Sequence, residues 1–284
     1  MSISLAGVIA EPPTGRRRAV LVDSHDYAQA VLLQGKPVPW GEPMAYCNFF
    51  SQAQGLLTSD VALLSLDRFY AHRLNGDTAL QSRMAAKTRT GFALRTLLSD
   101  SDLMRDAVDL ATTFSQTQKA PVVLQIPSPM RWLMLTHPFG GSADAAELDA
   151  DAAENASMYI ADWLRAFAAL PLAAIVLDDR PLTGETSVNV PLEAYSPVRN
   201  VTDHYGWTLA LRHVDGMQLA GSPVSPPEGT VISPDFWHDS GSDAGAAATA
   251  VANTPEVPSG AFLLAEIPPT AVPEHVLARL ATLR

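Results

Sequence analysis

Between residues 120 and 284 short β-type runs alternate with helical segments, and this alternation constrains the fold of the chain more than any other feature. Val122-Val123-Leu124-Gln125-Ile126 reads as a buried strand. The Pro127-Ser128-Pro129 that follows reads as a loop, because proline cannot continue a sheet. Asp144 to Leu170 then reads as a long helix with Leu148, Met158, Ile160, Trp163, Leu164 and Phe167 along its apolar stripe. Ala173 to Leu177 is the next strand, and Tyr195 to Tyr205 a short helix that Gly206 ends in a left-handed cap. Strands are expected again at Trp207 to Leu211, Thr230 to Ser233 and Ala261 to Ile267, and a helix at Pro273 to Leu283, where Pro273 suits a first turn. Parallel strands need crossovers, and helical crossovers cover the faces of a sheet, so the pattern predicts α/β architecture.

The N-terminal half is less regular. Ala19 to Val22 and Val61 to Leu66 are strand candidates, the second equally compatible with helix, and Phe92 to Phe114 reads as a helix. The resulting seven strand candidates approach the eight of a (β/α)8 TIM barrel, and 284 residues lie near the roughly 250 of that fold. The expectation is one barrel domain over residues 1–284, incomplete or decorated in its N-terminal half. Residues 240–248 and 255–259 read as surface loop.

Composition narrows the function. A net charge of −11 excludes a largely basic nucleic-acid binder, and 47% hydrophobic against 17% charged residues is the balance of a folded chain. The one cysteine, Cys47, excludes an intramolecular disulfide and any site built from several thiolates. The longest apolar run, Ala166 to Leu177, contains Pro171 and falls short of the roughly 20 residues that span a bilayer, so no membrane association is expected. Arg16, Arg17 and Arg18 follow rather than precede the first apolar residues, the wrong order for a secretory signal, and a cytoplasmic protein is expected.

In a parallel barrel the strand C-termini converge on one mouth, so the polar residues just after each strand are the first candidates for chemistry. They are His25, Asp67, Arg68, Asp178 to Arg180, Arg212 to Asp215, Asp235 to His238, and Glu266. Carboxylates and imidazoles crowded in a cleft shift one another's pKa values toward those that proton transfer near neutral pH requires. Asp178, Asp179, His213 and Asp235 are accordingly the catalytic candidates, with Arg131, Arg212, Trp237, His238 and Glu266 as substrate contacts. Plainer roles compete: Asp178 or Asp179 as a helix cap, Arg212 as an ion-pair partner, His137 and His204 as surface residues, and Arg68, His72 and Arg73 as a solvated helical face. His213-Val214-Asp215-Gly216 is the sharpest short signal, since residues two apart on an extended strand point the same way. His213 and Asp215 would need His238, Glu266 or Cys47 to complete a zinc site. No P-loop, dinucleotide fingerprint or nucleophile elbow is present.

The segment Leu124 to Leu133, running on to Phe139-Gly140-Gly141, together with Ile175-Val176-Leu177-Asp178-Asp179 and Leu209 to Gly216, resembles the uroporphyrinogen decarboxylase and cobalamin-independent methionine synthase superfamily. The resemblance covers roughly residues 120 to 284 and implies a (β/α)8 barrel. In the thiol-alkylating branches a histidine and a cysteine two residues later hold zinc; here Asp215 stands at the cysteine position. The resemblance therefore implies first a cofactor-independent, decarboxylase-like lyase acting on a small or medium organic acid. Asp178 or Asp179 and His213 would exchange the proton, and Arg212 or Arg131 would orient an anionic group. The alternatives are a zinc-dependent methyl or alkyl transferase or hydrolase using His213 and Asp215, and a catalytically inactive barrel subunit of a larger enzyme. The expected partners are a small-molecule substrate, a second copy of the chain, or that larger enzyme.

Overall fold

The apolar runs form strands buried on both faces, as in sheets whose two sides are covered. In the computed structural model, residues 3–141, 148–181, 190–222, 227–237 and 262–283 are described. Helix α1 (Leu5–Ala10) precedes β1 (Val20–Asp23), and α2 (His25–Leu32) and α3 (Pro43–Leu57) lead to β2 (Ala62–Ser65), which runs directly into α4 (Leu66–Gly76). Helices α5 (Thr78–Met84), α6 (Phe92–Leu98) and α7 (Ser101–Thr117) precede β3 (Val122–Pro127). Next come α8 (Pro129–Thr136), α9 (Ala150–Leu164) and β4 (Leu172–Asp178), then α10 (Ser196–Tyr205), β5 (Thr208–Arg212) and β6 (Gly216–Leu219). The chain finishes with β7 (Gly229–Val231), β8 (Phe262–Glu266) and α11 (Pro273–Thr282). Among the described residues no helix is long and apolar enough to cross a membrane.

The strands make one eight-stranded sheet in the order β1-β8-β7-β6-β5-β4-β3-β2. Its pairs are parallel except β5–β6 and β6–β7, so β6 runs against the rest and the sheet is not the all-parallel ring that the sequence predicts. β6 is also the strand that periodicity misses. Gly216-Met217-Gln218-Leu219 carries no apolar run, and it enters the sheet after a three-residue connection across which His213 N–H donates to Gly216 O at 2.8 Å. Two glycines let it pack. A Cβ on Gly216 would lie 2.4 Å from Gly229 O, and one on Gly229 would lie 2.5 Å from the Phe262 ring.

The first and last strands of that order, β1 and β2, share no ladder and meet through side chains and one backbone bond. Asp60 N–H donates to Val20 O (3.0 Å), Asp60 Oδ2 accepts from Val20 N–H (2.8 Å) and Ser59 Oγ accepts from Val22 N–H (3.0 Å). Asp60 also accepts from Thr14 N–H and Oγ1 and pairs with Arg16 at 3.4 Å. These contacts bring the eight-stranded sheet nearly to closure.

Strand parity divides the core. Val20, Val22, Leu124, Ile126, Ile175, Leu177, Leu209 and Leu211 pack with the helices, whereas Leu21, Val123, Ala174, Val176, Ala210, Met217 and Leu264 form a second cluster within the sheet. Leu5 and Val8 of α1 join that inner cluster beside Ala19 and Val61, at the N-terminal end of the strands. Because strand side chains alternate, the next inward positions at the opposite end are Asp23, Gln125, Asp178, Arg212 and Glu266.

Four local expectations change. Pro127 closes β3, and Ser128 then caps α8, its Oγ accepting from Arg131 N–H, with Pro129 in the first turn, so the Pro-Ser-Pro segment is a strand-to-helix junction and not a loop. Residues 92–114 form two helices, because Asp100 caps α7 through Leu103 N–H and breaks the run. His137 is buried, and Arg68 turns into the barrel end instead of lining a solvated face.

Candidate functional site

The inward polar positions meet in one ion-pair chain across the C-terminal end of the sheet. Arg68, in the first turn of α4 just after β2, contacts Asp26 at 3.2 Å and Asp23 at 3.1 Å. Asp23 faces Arg212 Nη1 at 3.7 Å, and Arg212 Nη2 donates to Glu266 at 2.9 Å. Arg180 Nη1 donates to both oxygens of Glu266 (3.0 and 2.9 Å), while its Nε and Nη2 donate to Asp178 (2.9 and 2.7 Å). Arg131 closes the chain on Asp178 at 2.5 Å. Four guanidiniums thus alternate with four carboxylates drawn from β1, α2, β4 and β8. Gln125 links this chain to Asp67, donating to Oδ2 at 3.3 Å, and its Oε1 accepts from Arg212 at 3.5 Å.

Burial and neighbours divide the carboxylates. Burial alone would raise Asp23 and Asp178, yet Arg68 and Arg212 hold Asp23 far below the usual carboxylate range, and Arg180, Arg131 and Arg212 hold Asp178 low. Asp178 is therefore a fixed anion. Asp67 and Asp179 behave oppositely: burial pushes both up, helped at Asp67 by Asp178 and Asp23 and at Asp179 by Asp178.

Asp179 stands at the edge of a cleft of about 490 Å³. One oxygen accepts from Ser128 Oγ and the other lies 4.0 Å from His213 Nδ1, whose side chain is 38% exposed. Asp179 N–H donates to Arg212 O, which locks this carboxylate to the end of β5. A carboxyl displaced toward neutral pH, facing an imidazole that opens onto a cleft, is suited to hold or pass a proton. Since its folded-state pKa is raised, ionised Asp179 opposes folding, and that penalty grows as pH rises through the unfolded value toward the folded one. Asp179→Asn is therefore expected to melt at or above the wild-type temperature at pH 7; a lower melting temperature would show that Asp179 is a stabilising anion.

The other predicted residues are dispersed. Asp215 lies in the β5–β6 hairpin turn and not on a strand with His213, although both border the cleft. Their expected common strand face is lost because β5 ends at Arg212. Asp235 is exposed on a 3-10 turn, and Trp237 is fully buried in the helix-facing core. Cys47 is buried on α3 in that core. His238 lies outside the described residues. Among the described residues no group of three or more His, Cys, Asp or Glu side chains could hold a metal ion. The sequence reading missed Asp23, Gln125 and Ser128 and assigned Arg180 no role; strand parity, continued one position past each apolar run, would have found Asp23 and Gln125. No protein-family model, curated protein or solved structure matches the chain.

Proposed function

We propose that this protein is an acid–base enzyme built on a (β/α)8-type barrel, a decarboxylase-like lyase acting on a small or medium organic acid. The observation that carries the reading is the Asp179–His213 pair, 4.0 Å apart, opening on the cleft. The order of segments that resembles the uroporphyrinogen decarboxylase and methionine synthase superfamily supports it further. In the step envisaged, the bond to the leaving carboxylate breaks and CO2 departs. The electron pair stays on carbon and takes the proton of the His213 imidazolium, which Asp179 orients and stabilises. Asp178 orients Arg131 and Arg180 and keeps its charge throughout.

The test is CO2 release from a panel of small mono- and dicarboxylic acids. Wild-type protein is expected to turn over at least one of them, and His213→Ala to lower that rate by about 10²–10⁴-fold. Equal rates in the two proteins, or no turnover of any acid by wild type, would remove the assignment.

A further inference from the structure

Glu266 is the exposed end of the ion-pair chain. Its side chain is 40% accessible, whereas the Arg212 beside it is 3% accessible and Asp178 behind Arg180 is fully buried. Both guanidiniums that hold Glu266 are fixed from behind. Asp178 takes Nε and Nη2 of Arg180, and Asp23 and Gln125 face Nη1 of Arg212. Each presents one remaining nitrogen to the Glu266 carboxylate, Nη1 of Arg180 to both oxygens at 3.0 and 2.9 Å and Nη2 of Arg212 to one of them at 2.9 Å. Charge-assisted hydrogen bonds from two guanidiniums to one carboxylate are contacts of the kind that hold carboxylate ligands. Arg212 Nε is buried and has no hydrogen-bond partner among the described residues, so the clamp retains donor capacity that Glu266 does not fill.

Charge points the same way. Glu266 is the carboxylate that Arg180 and Arg212 share; without it, among the described residues, Arg180 keeps its pair with Asp178 and Arg212 keeps only the 3.7 Å contact with Asp23 as an ion pair. Leaving the nearly buried Arg212 with that one long ion pair is costly, so the clamp favours an anion at this position. Glu266 sits at the end of β8 with solvent on one side, and rotation about its side-chain bonds releases the site without moving a strand.

We infer that Arg180 and Arg212 form a binding site for the carboxylate of a small organic acid, and that Glu266 is its built-in, displaceable occupant. The ligand's carboxylate takes the position of the Glu266 carboxylate, which moves out to water. A carboxylate held by two guanidiniums is stabilised as an anion, so this group is the one that stays on the molecule and anchors it. As a statement about a substrate this rests on the acid–base reading above, but the assignment of the clamp is tested by binding alone.

The experiment is calorimetric titration of propionate, whose chain matches the end of a glutamate side chain, into wild type, Glu266→Ala and Glu266→Ala/Arg180→Gln. Wild type is expected to bind propionate weakly and saturably, Glu266→Ala at least tenfold more tightly, and the double variant no better than wild type. Glu266→Gln, which keeps the volume and loses the charge, takes the place of Glu266→Ala should that variant not fold. No saturable binding by wild type would reduce the Arg180–Glu266–Arg212 contact to a structural ion pair. Sulfate binding as tight as propionate would overturn the carboxylate assignment. His213→Ala is expected to bind propionate as wild type does, so loss of turnover in that variant leaves the clamp standing, and failure of the clamp leaves His213 chemistry open.

Discussion

Asp60→Ala is expected to lower the unfolding free energy by about 3–5 kcal/mol, among the largest effects of any single substitution in this protein. Asp60 is fully buried, and its carboxylate accepts from Val20 N–H, Thr14 N–H and Thr14 Oγ1 while pairing with Arg16. Removing it strands a buried guanidinium and leaves the Val20 N–H, which no strand neighbour on that side satisfies, without its acceptor. It also loosens the seam between β1 and β2, which no strand ladder joins. The β1 and β2 edges, which face each other across this seam, would be more open to other chains, with a corresponding tendency to associate. Urea denaturation checks the magnitude, and light scattering checks the association. A loss under about 1 kcal/mol would mean that Ser59 and the backbone hold the seam without Asp60.

Asp178→Asn should cost a comparable amount, about 3–5 kcal/mol at pH 7, for a different reason. Asp178 is the shared anion of Arg131 and Arg180, and an amide neither balances two guanidiniums nor accepts from both in the same manner. The pH dependence sharpens this. Asp178 and Asp23 have folded-state pKa values below their unfolded ones. Their contribution is therefore fully present above the ordinary carboxylate value of about 4 and is lost as pH falls from there through the lower folded values. Wild-type stability should decline steeply below about pH 4. In Asp178→Asn that decline should be shallower, because one of the two linked protonations has been removed. Parallel stability–pH curves for the two proteins would show that Asp178 does not carry this linkage. The contrast with its neighbour is equally informative: Asp178→Asn is expected to destabilise and Asp179→Asn not to, although the two residues are adjacent.

A run such as Ala-Ala-Ile-Val-Leu is buried on both faces wherever it ends up, so the α/β alternation, seven of the eight strands and helices such as α10 and α11 were legible without coordinates. Hydrophobic periodicity is a local property, and a single chain displays it. Gly206 at the end of α10 was equally readable, since its left-handed backbone, φ 70°, is one that glycine adopts without strain. β6 was not. Its place depends on contact between Gly216 and Gly229, and a glycine in a sequence does not announce which backbone will approach it.

The candidate site divides along the same line. That Asp178, Asp179, His213 and Glu266 follow strands was visible in the chain, because the apolar runs stop beside them. That Asp179 rather than Asp178 faces His213, and that Asp178 is locked by Arg131 and Arg180, arises only when β3, β4 and β5 lie side by side in register. The same holds for Asp23, Arg68, Arg212 and Glu266, which come from four separate stretches of the chain and meet because β1 and β8 pair and the two outermost strands close on each other. Burial of an apolar run follows from its own neighbourhood in the chain. The sign of a carboxylate's pKa shift follows from which charges the nearly closed sheet sets against it, and Coulomb interactions depend on distance in space and not along the chain.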